Sequence, residues 1–209
     1  MNKFLDLDSD FEEAVSAATK TLNDGKLVLL PTDTVYGIAA IPTNKNAVDE
    51  IFHRKKRISD QACAVLVSEI SHVFDLVVPS VELELLSQNF WPGPMTVVVE
   101  RAQHLSYFLG GDENSIGVRC PDHAFIRSLT AETGPLAVTS ANLSGLSTPE
   151  DAKEAASELG ENLLVVDGGL CKGKPSTVLS LLGESAEILR EGAIRVEDLI
   201  AAGLQLEEG

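Results

Sequence analysis

Polar side chains that could hold a ligand follow directly after an apolar run near the beginning of the chain. Residues 27–30 are all aliphatic, and Thr32, Asp33, Thr34 and Tyr36 come next. Such a run is typical of a buried strand, and ligands of α/β proteins commonly bind where strands end. The hydroxyls of Thr32 and Thr34 are therefore candidates for positioning a substrate. The alternative is that they satisfy backbone groups of a local bend.

A second apolar run ends in the same way in the C-terminal half. Residues 136–138 are apolar, and Thr139, Ser140, Asn142 and Ser144 follow. Small hydroxyl and amide side chains let a ligand approach the main chain, whose amides can bind phosphate. Because an ordinary turn uses the same residue types, this segment alone supports both interpretations.

Positive charge is concentrated in one short segment. Residues 53–57, HRKKR, hold four of the sixteen Lys and Arg residues. Helical spacing places Lys55 near the centre of an apolar stripe that includes Ile51 and Phe52. A lysine there must extend to water or meet an anion in a partly buried place. This geometry favours anion binding over the simple placement of cations at a helix C-terminus.

Two further cations end apolar segments. Arg119 ends SIGVR and Arg190 ends EILR, while Ser176 lies in the short motif PST. Singly, each arginine is typical of a surface ion pair. If the strand ends surround one cavity, however, both arginines and Lys55 converge there with three hydroxyl-rich segments. Such a cavity fits an anionic ligand with many acceptors, and a nucleoside triphosphate has these properties.

A phosphate-binding loop of the Walker type is excluded. The chain has Gly168, Gly173 and Lys174 at the required spacing, but Pro175 stands where a Ser or Thr is needed for magnesium. The β-branched segment that follows predicts a strand, whereas a Walker loop precedes a helix.

Composition limits the possible partners. Thirty-two acidic and sixteen basic residues give a net charge of −16, which would repel a phosphate backbone and argues against strong direct binding of nucleic acid. No apolar stretch approaches the roughly 20 residues of a membrane span, and the acidic beginning is unlike a signal peptide. The expectation is a cytoplasmic protein with no membrane partner. The three cysteines have no metal-ligand spacing and are interpreted as packing residues.

The predicted elements indicate the fold class. Helices and strands interleave, but consecutive strands within residues 95–119 and 163–189 favour a mixed sheet over a purely parallel one. The predicted fold is α/β (α+β): a single domain over residues 1–209, with a core at about 9–199 and helices flanking a twisted parallel and antiparallel sheet. Predicted strands lie at 27–30, 62–67, 95–100, 115–119, 136–139, 163–167, 177–181 and 187–189. Predicted helices lie at 11–22, 47–57, 79–90, 124–132 and 196–202, with another that begins at 148.

The order of the motifs along the chain resembles that of the YrdC-type threonylcarbamoyl-AMP synthase family. The resemblance extends from about residue 9 to residue 199. The matching motifs are PTDTVYG (31–37), K-x-R (55–57), WPGPMT (91–96), GVRCPDH (117–123), TSANLSG (139–145), DGG (167–169), PSTV (175–178) and LREG (189–192). Two prolines that usually follow K-x-R in the family are absent from residues 58–63.

This resemblance implies a YrdC/RibB-like fold and a nucleotidyltransferase reaction. L-Threonine, bicarbonate and ATP, with Mg²⁺ on the phosphates, would give threonylcarbamoyl-AMP and pyrophosphate. The product would pass to a separate tRNA threonylcarbamoyl transferase complex that modifies adenosine 37. The implied catalytic and phosphate-binding residues are Lys55, Arg57, Ser140 and Asn142. Further implied nucleotide contacts are Ser115, Thr148 and Arg190, and the implied threonine-site residues are Thr32, Thr34, Arg119 and Ser176.

In this scheme Arg119 would bind the carboxylate of threonine in bidentate geometry. The resemblance indicates no protein ligands dedicated to a metal. Two alternatives stay open: an RNA-binding or ribosome-maturation module, and a paralogue of the same fold that acts on another carbamoyl substrate. The acidic charge and the absence of aromatic residues placed for stacking near HRKKR count against the RNA-binding module.

Overall fold

The computed structural model describes residues 1–56 and 61–206, and within them it forms one ten-stranded sheet. The strand order across the sheet is β1-β8-β2-β3-β7-β4-β6-β5-β9-β10. The strands are β1 (Lys3–Asp6), β2 (Val28–Leu30), β3 (Gly37–Ala40), β4 (Ala64–Leu66), β5 (Met95–Glu100), β6 (Ser115–Arg119), β7 (Leu136–Ser140), β8 (Leu164–Asp167), β9 (Thr177–Ser180) and β10 (Glu187–Arg190). The helices are α1 (Phe11–Asn23), α2 (Lys45–Lys55), α3 (Ile70–Phe74), α4 (Val81–Phe90), α5 (Ala124–Thr133), α6 (Ala152–Leu159) and α7 (Val196–Ala201).

The sheet is mixed, which confirms the predicted fold class. Strand β8 pairs in parallel with β1 and β2, and β4 with β6 and β5 with β9 are also parallel; the other neighbours are antiparallel. A strand rather than a helix follows Pro175, as predicted. Within the described residues, no helix combines the length and the apolar character that crossing a bilayer requires.

The main element that the sequence analysis missed is β3. It pairs antiparallel with β2, so that Leu30 lies opposite Gly37. The polar cluster of residues 31–36 is therefore the connection of a hairpin. Strand β3 is short and made largely of small residues, GIAA, so its apolar signal was too weak to separate it from the preceding loop.

Strand β2 is buried on both faces. Leu27 and Leu29 belong to one apolar cluster, whereas Val28 and Leu30 belong to the other. Because successive side chains of a strand point to opposite faces, a strand covered on both sides needs apolar residues at every position. This explains why residues 27–30 form an unbroken aliphatic run.

Helices cover the two faces of the sheet unequally. The buried apolar residues of α2, α3, α4, α6 and α7 belong to the first cluster, whereas α1 and α5 pack together in the second. On the second face, α1 contacts β1, β2 and β8, at one end of the sheet. Towards the other end, β4, β5, β6 and β9 present Leu66, Val98, Gly117 and Val178 to an open cavity on this same face.

Candidate active site

One cavity of about 600 Å³ brings the predicted site residues together. Ten of the eleven line it, and the eleventh, Arg57, lies outside the described residues. The ten are Thr32, Thr34, Lys55, Ser115, Arg119, Ser140, Asn142, Thr148, Ser176 and Arg190. These residues, which were predicted from the sequence, come from six separate segments of the chain.

Strand β6 shows how the sheet aims these side chains. Ile116 and Val118 belong to the buried cluster under the opposite face, whereas Ser115, Gly117 and Arg119 line the cavity. The period of two along a strand produces this separation. The sequence analysis treated SIGVR as one apolar run ending in a cation, although its alternation already indicates two different faces.

Lys55 is buried at the edge of the cavity. Only 2% of the residue is exposed, which confirms its predicted place on the apolar face of α2. Its ammonium donates to the carbonyl of Ser140 at 2.5 Å and to the carbonyl of Asn142 at 2.7 Å. Lys55 therefore brings a positive charge to the cavity and also holds the backbone that follows β7.

Asn142 organises the loop after β7. Its amide nitrogen donates to the carbonyls of Leu143 and Leu146, at 2.8 and 2.7 Å, and its side-chain oxygen accepts a bond from Thr148 at 3.1 Å. Both amide N–H groups are thus used inside the loop. The resemblance implied that Asn142 adds a hydrogen-bond donor beside the phosphates; in this structure its side chain shapes the loop that lines the cavity.

The hydroxyls of Thr32 and Thr34 form an ordered pair. Thr32 Oγ1 accepts bonds from the amides of Thr34 and Val35 and donates to the carbonyl of Val35 at 2.7 Å. Because its single proton is used there, Thr34 Oγ1 must be the donor in the 3.0 Å bond between the two hydroxyls. The sequence left two interpretations open, a substrate-positioning role and local bonding within a bend. The structure shows the local bonding, and both threonines also line the cavity.

Arg119 is held by groups of the protein. Its guanidinium donates to Asp33 at 2.6 Å, to Thr34 Oγ1 at 3.1 Å and to the carbonyl of Gly93 at 3.1 Å. Asp33 also accepts a bond from the amide of Asp122. Burial lowers the pKa of Arg119, and Asp33 opposes this effect. These contacts use three of five N–H donors, so a substrate carboxylate could engage at most two.

Thr96 is a cavity residue that the sequence analysis did not select. It is buried, and its hydroxyl lies 3.0 Å from that of Ser176. Arg190 donates to both the carbonyl and the hydroxyl of Ser176, at 2.8 and 3.1 Å. The sequence did contain a signal for Thr96. It is a hydroxyl residue in the otherwise apolar beginning of β5, and the alternation of the strand places it on the same face as Val98, which lines the cavity.

The lining carries few groups that bind metals. Among the lining residues, Asp112 is the one carboxylate. The described part of the chain holds no group of three or more His, Cys, Asp or Glu residues that could surround a metal ion. One carboxylate is fewer than the oxygen ligands that a hard cation such as Mg²⁺ needs when the protein alone holds it.

The chain is similar to known proteins over most of its length. The family model Sua5_yciO_yrdC, described as "Telomere recombination", matches residues 20–192. The threonylcarbamoyl-AMP synthase of Bacillus subtilis is 35% identical over 192 residues, which cover 90% of this chain and 56% of that protein. The threonylcarbamoyl-AMP synthase of Mus musculus is 36% identical over 162 residues, covering 77% and 58%.

The fold also matches a solved structure. The crystal structure of Pyrococcus abyssi Sua5 complexed with L-threonine superposes with a TM-score of 0.87 at 28% identity, covering 99% of this chain and 62% of that one. The chain thus spans little more than half the length of each of these three proteins.

Proposed function

Because the chain belongs to the Sua5/YciO/YrdC family, we propose that it synthesises threonylcarbamoyl-AMP. L-Threonine, bicarbonate and ATP give threonylcarbamoyl-AMP, pyrophosphate and water. The protein is then a nucleotidyltransferase whose product supplies a separate tRNA threonylcarbamoyl transferase complex. The relatives named above, and the L-threonine bound to the P. abyssi protein, support this proposal.

The observation that carries the proposal is the composition of one cavity. It combines the cations Lys55, Arg119 and Arg190 with hydroxyls on several strand ends. A cavity of about 600 Å³ lies within the usual range for small-molecule sites. An anionic nucleotide beside a small amino acid suits this lining in charge and in hydrogen bonding.

The reaction that we propose has two steps. The amine of threonine takes up CO₂ derived from bicarbonate, with loss of water, and becomes a carbamate. A carbamate oxygen then attacks the α-phosphorus of ATP, the bond from that phosphorus to the bridging oxygen breaks, and pyrophosphate leaves. Such a transfer depends on orientation and charge stabilisation more than on a nucleophilic side chain.

The side chains have distinct roles in this proposal. Lys55 supplies positive charge beside the phosphates and keeps the loop after β7 in place, and Arg57 is expected to act with it. Asn142 acts through the shape of that loop, which begins after Ser140 and includes Thr148. Further nucleotide contacts come from Ser115 and Arg190.

The amino-acid side of the cavity is the hairpin connection between β2 and β3. Here the ordered pair of Thr32 and Thr34 sets the position of Arg119, which receives the carboxylate of threonine together with Ser176. ATP enters as its magnesium complex, and Mg²⁺ is part of that substrate. When bound, the ion neutralises phosphate charge.

A single assay tests the proposal. We expect pyrophosphate release from Mg·ATP to need both L-threonine and bicarbonate, and to fall at least about tenfold when another amino acid replaces threonine. Release without threonine, or equal release with every amino acid, would contradict the assignment. Turnover with a different carbamoyl substrate would instead identify the paralogue.

The lining of the cavity also counts against the RNA-binding alternative. Among the lining residues the one aromatic is Tyr36, which is fully buried, so the cavity offers no stacking surface to RNA.

Gly117 allows a test that leaves every polar group in place. A methyl group built there meets Thr96 and Val98 at ordinary contact distances of 3.5 and 3.7 Å, so Gly117→Ala should fold normally and fill part of the cavity floor. We expect nucleotide affinity or kcat/KM to fall about tenfold or more, since small displacements of substrates can be this costly. The control is Ser128→Ala, because Ser128 lies on α5 and does not line the cavity. Gly134→Ala would not serve, since Gly134 has a positive φ that strains an alanine. Unchanged activity of Gly117→Ala would place the substrates elsewhere.

A further inference from the structure

The segment 167–174, DGGLCKGK, is the motif that resembled a Walker loop, and the proposed reaction assigns it no role. We call these residues the strap. None of them lines the cavity, although Pro175 and Ser176 directly after them do. The strap packs against the hairpin connection of residues 31–36, the segment that carries Thr32 and Thr34.

The strap approaches the hairpin connection at both of its ends. A methyl group at Gly168 would lie 2.8 Å from a side-chain atom of Pro31, and one at Gly173 would lie 2.7 Å from the carbonyl oxygen of Thr34. Between these points, the thiol of Cys171 lies 3.8 Å from the carbonyl oxygen of Thr32. Only glycine permits contacts as close as the two at the ends, so the fit between the two segments depends on them.

Tyr36, the last residue of the hairpin connection, fastens the strap by hydrogen bonds. Its hydroxyl accepts a bond from the amide of Gly168 at 3.1 Å and donates to the carbonyl of Gly169 at 2.6 Å. Asp167 supports the same turn by accepting the amide of Gly169 at 3.0 Å. Burial raises the pKa of the Tyr36 hydroxyl, which therefore keeps the proton that it donates. Tyr36 is fully buried, and its backbone continues from the threonine pair.

We propose that the strap, fastened by the Tyr36 hydroxyl, holds the threonine side of the cavity in its binding geometry. Tyr36 is then a positioning residue for the amino-acid substrate, because it acts through Thr32, Thr34 and Arg119. This inference rests on the proposed function for its substrate. The physical basis is that binding groups keep a productive geometry when surrounding contacts hold the residues that carry them.

The test replaces the hydroxyl and keeps the ring. In Tyr36→Phe, the amide of Gly168 and the carbonyl of Gly169 lose their partner, and we expect the KM for threonine to rise about tenfold, as for the loss of a buried hydrogen bond. The KM for ATP should change less than about twofold, and kcat less than about threefold. Tyr107→Phe is the control, since Tyr107 does not line the cavity.

A second variant acts from the opposite end of the strap. Gly173→Ala places a methyl group against Thr34, so it should also raise the KM for threonine selectively, even if Tyr36→Phe folds poorly. A purely structural role would lower the melting temperature and leave the ratio of the two KM values unchanged. An equal rise in both KM values, or no rise in either, overturns the proposal.

A further measurement does not depend on turnover. The amides of Thr34 and Val35 are bonded to Thr32 Oγ1, and their hydrogen exchange reports how well the hairpin connection is held. We expect faster exchange at these two amides in Tyr36→Phe and unchanged exchange in Tyr107→Phe. If the wild-type protein shows no threonine-dependent reaction, the proposed function fails. Hydrogen exchange at the two amides then tests by itself whether the strap holds the hairpin connection. Unchanged exchange at these amides in Tyr36→Phe overturns the proposed role of the strap.

Discussion

Replacing Lys55 by methionine is expected to lower threonine- and bicarbonate-dependent pyrophosphate release at least about 100-fold, as the removal of a donor that stabilises developing charge does in other enzymes. Methionine retains an unbranched apolar stem but has no charge and no N–H group. The variant therefore removes the bonds to the carbonyls of Ser140 and Asn142 and leaves the packing of α2 largely intact.

The same substitution should also reduce stability. The carbonyl oxygen of Asn142 loses its charged partner in a buried place, and an unsatisfied group of this kind costs about 1–3 kcal/mol. The carbonyl of Ser140 keeps the bond that it accepts from the amide of Asn142. Thermal unfolding and nucleotide binding measured on one preparation would separate the two effects. Lys45→Met is the matched control, because Lys45 lies on the same helix in an exposed ion pair with Asp49. Turnover of folded Lys55→Met within about threefold of the wild type would remove Lys55 from the mechanism.

The second large effect is expected at the buried ion pair of Arg119 and Asp33. Arg119→Met leaves the carboxylate of Asp33, only 11% exposed, without its guanidinium partner. Breaking a buried pair in this way typically costs about 3–5 kcal/mol of stability. In addition, we expect the KM for threonine to rise at least about 30-fold, since truncation of a buried charged contact weakens binding by about 2–5 kcal/mol.

A double variant separates folding from substrate binding. In Asp33→Asn with Arg119→Met neither charge remains, and an amide oxygen can still accept the bond from the amide of Asp122. Replacing both partners of a buried pair is often nearly neutral, so unfolding measurements should show that much of the stability returns. The KM for threonine should stay as high as in Arg119→Met. Recovery of a normal KM for threonine in the double variant would show that Arg119 has only a structural role.

A surface pair provides the reference for this cycle. Arg195 and Asp198 form an exposed ion pair at 3.1 Å, and neither lines the cavity. Fully exposed pairs contribute little to stability, so Arg195→Met should change neither the melting temperature nor the kinetic constants by more than a small amount.

Much of the site could be predicted because its signals are local in sequence. The position of Lys55 followed from the helical period over residues 47–55, and the strand ends followed from apolar runs that stop at hydroxyl residues. These patterns depend on the geometry of a single helix or strand. Helix α6 shows the limit at element ends: Asp151 caps it and it begins at Ala152, although the sequence predicted a beginning at residue 148.

The elements that were missed have weak local signals. Strand β1 has only four residues, three of which are exposed, and helix α3 has five. Strand β1 is ordered by its parallel pairing with β8, whose residues lie about 160 positions later in the chain. Propensity over a short window does not contain that pairing.

The sequence by itself determined which residue types are available and which helix or strand presents them, since periods of 3.6 and 2 are properties of one segment. Only the tertiary structure decided how those residues are used. Asp33 and Arg119 are 86 positions apart, and they meet because β7 pairs with both β3 and β4 and so brings the first hairpin near β6. The cavity lies on an uncovered part of one sheet face, because α1 and α5 pack together on the part of that face near β1, β2 and β8. Contacts between distant segments form only when the whole sheet is assembled, and for that reason no local pattern contains them.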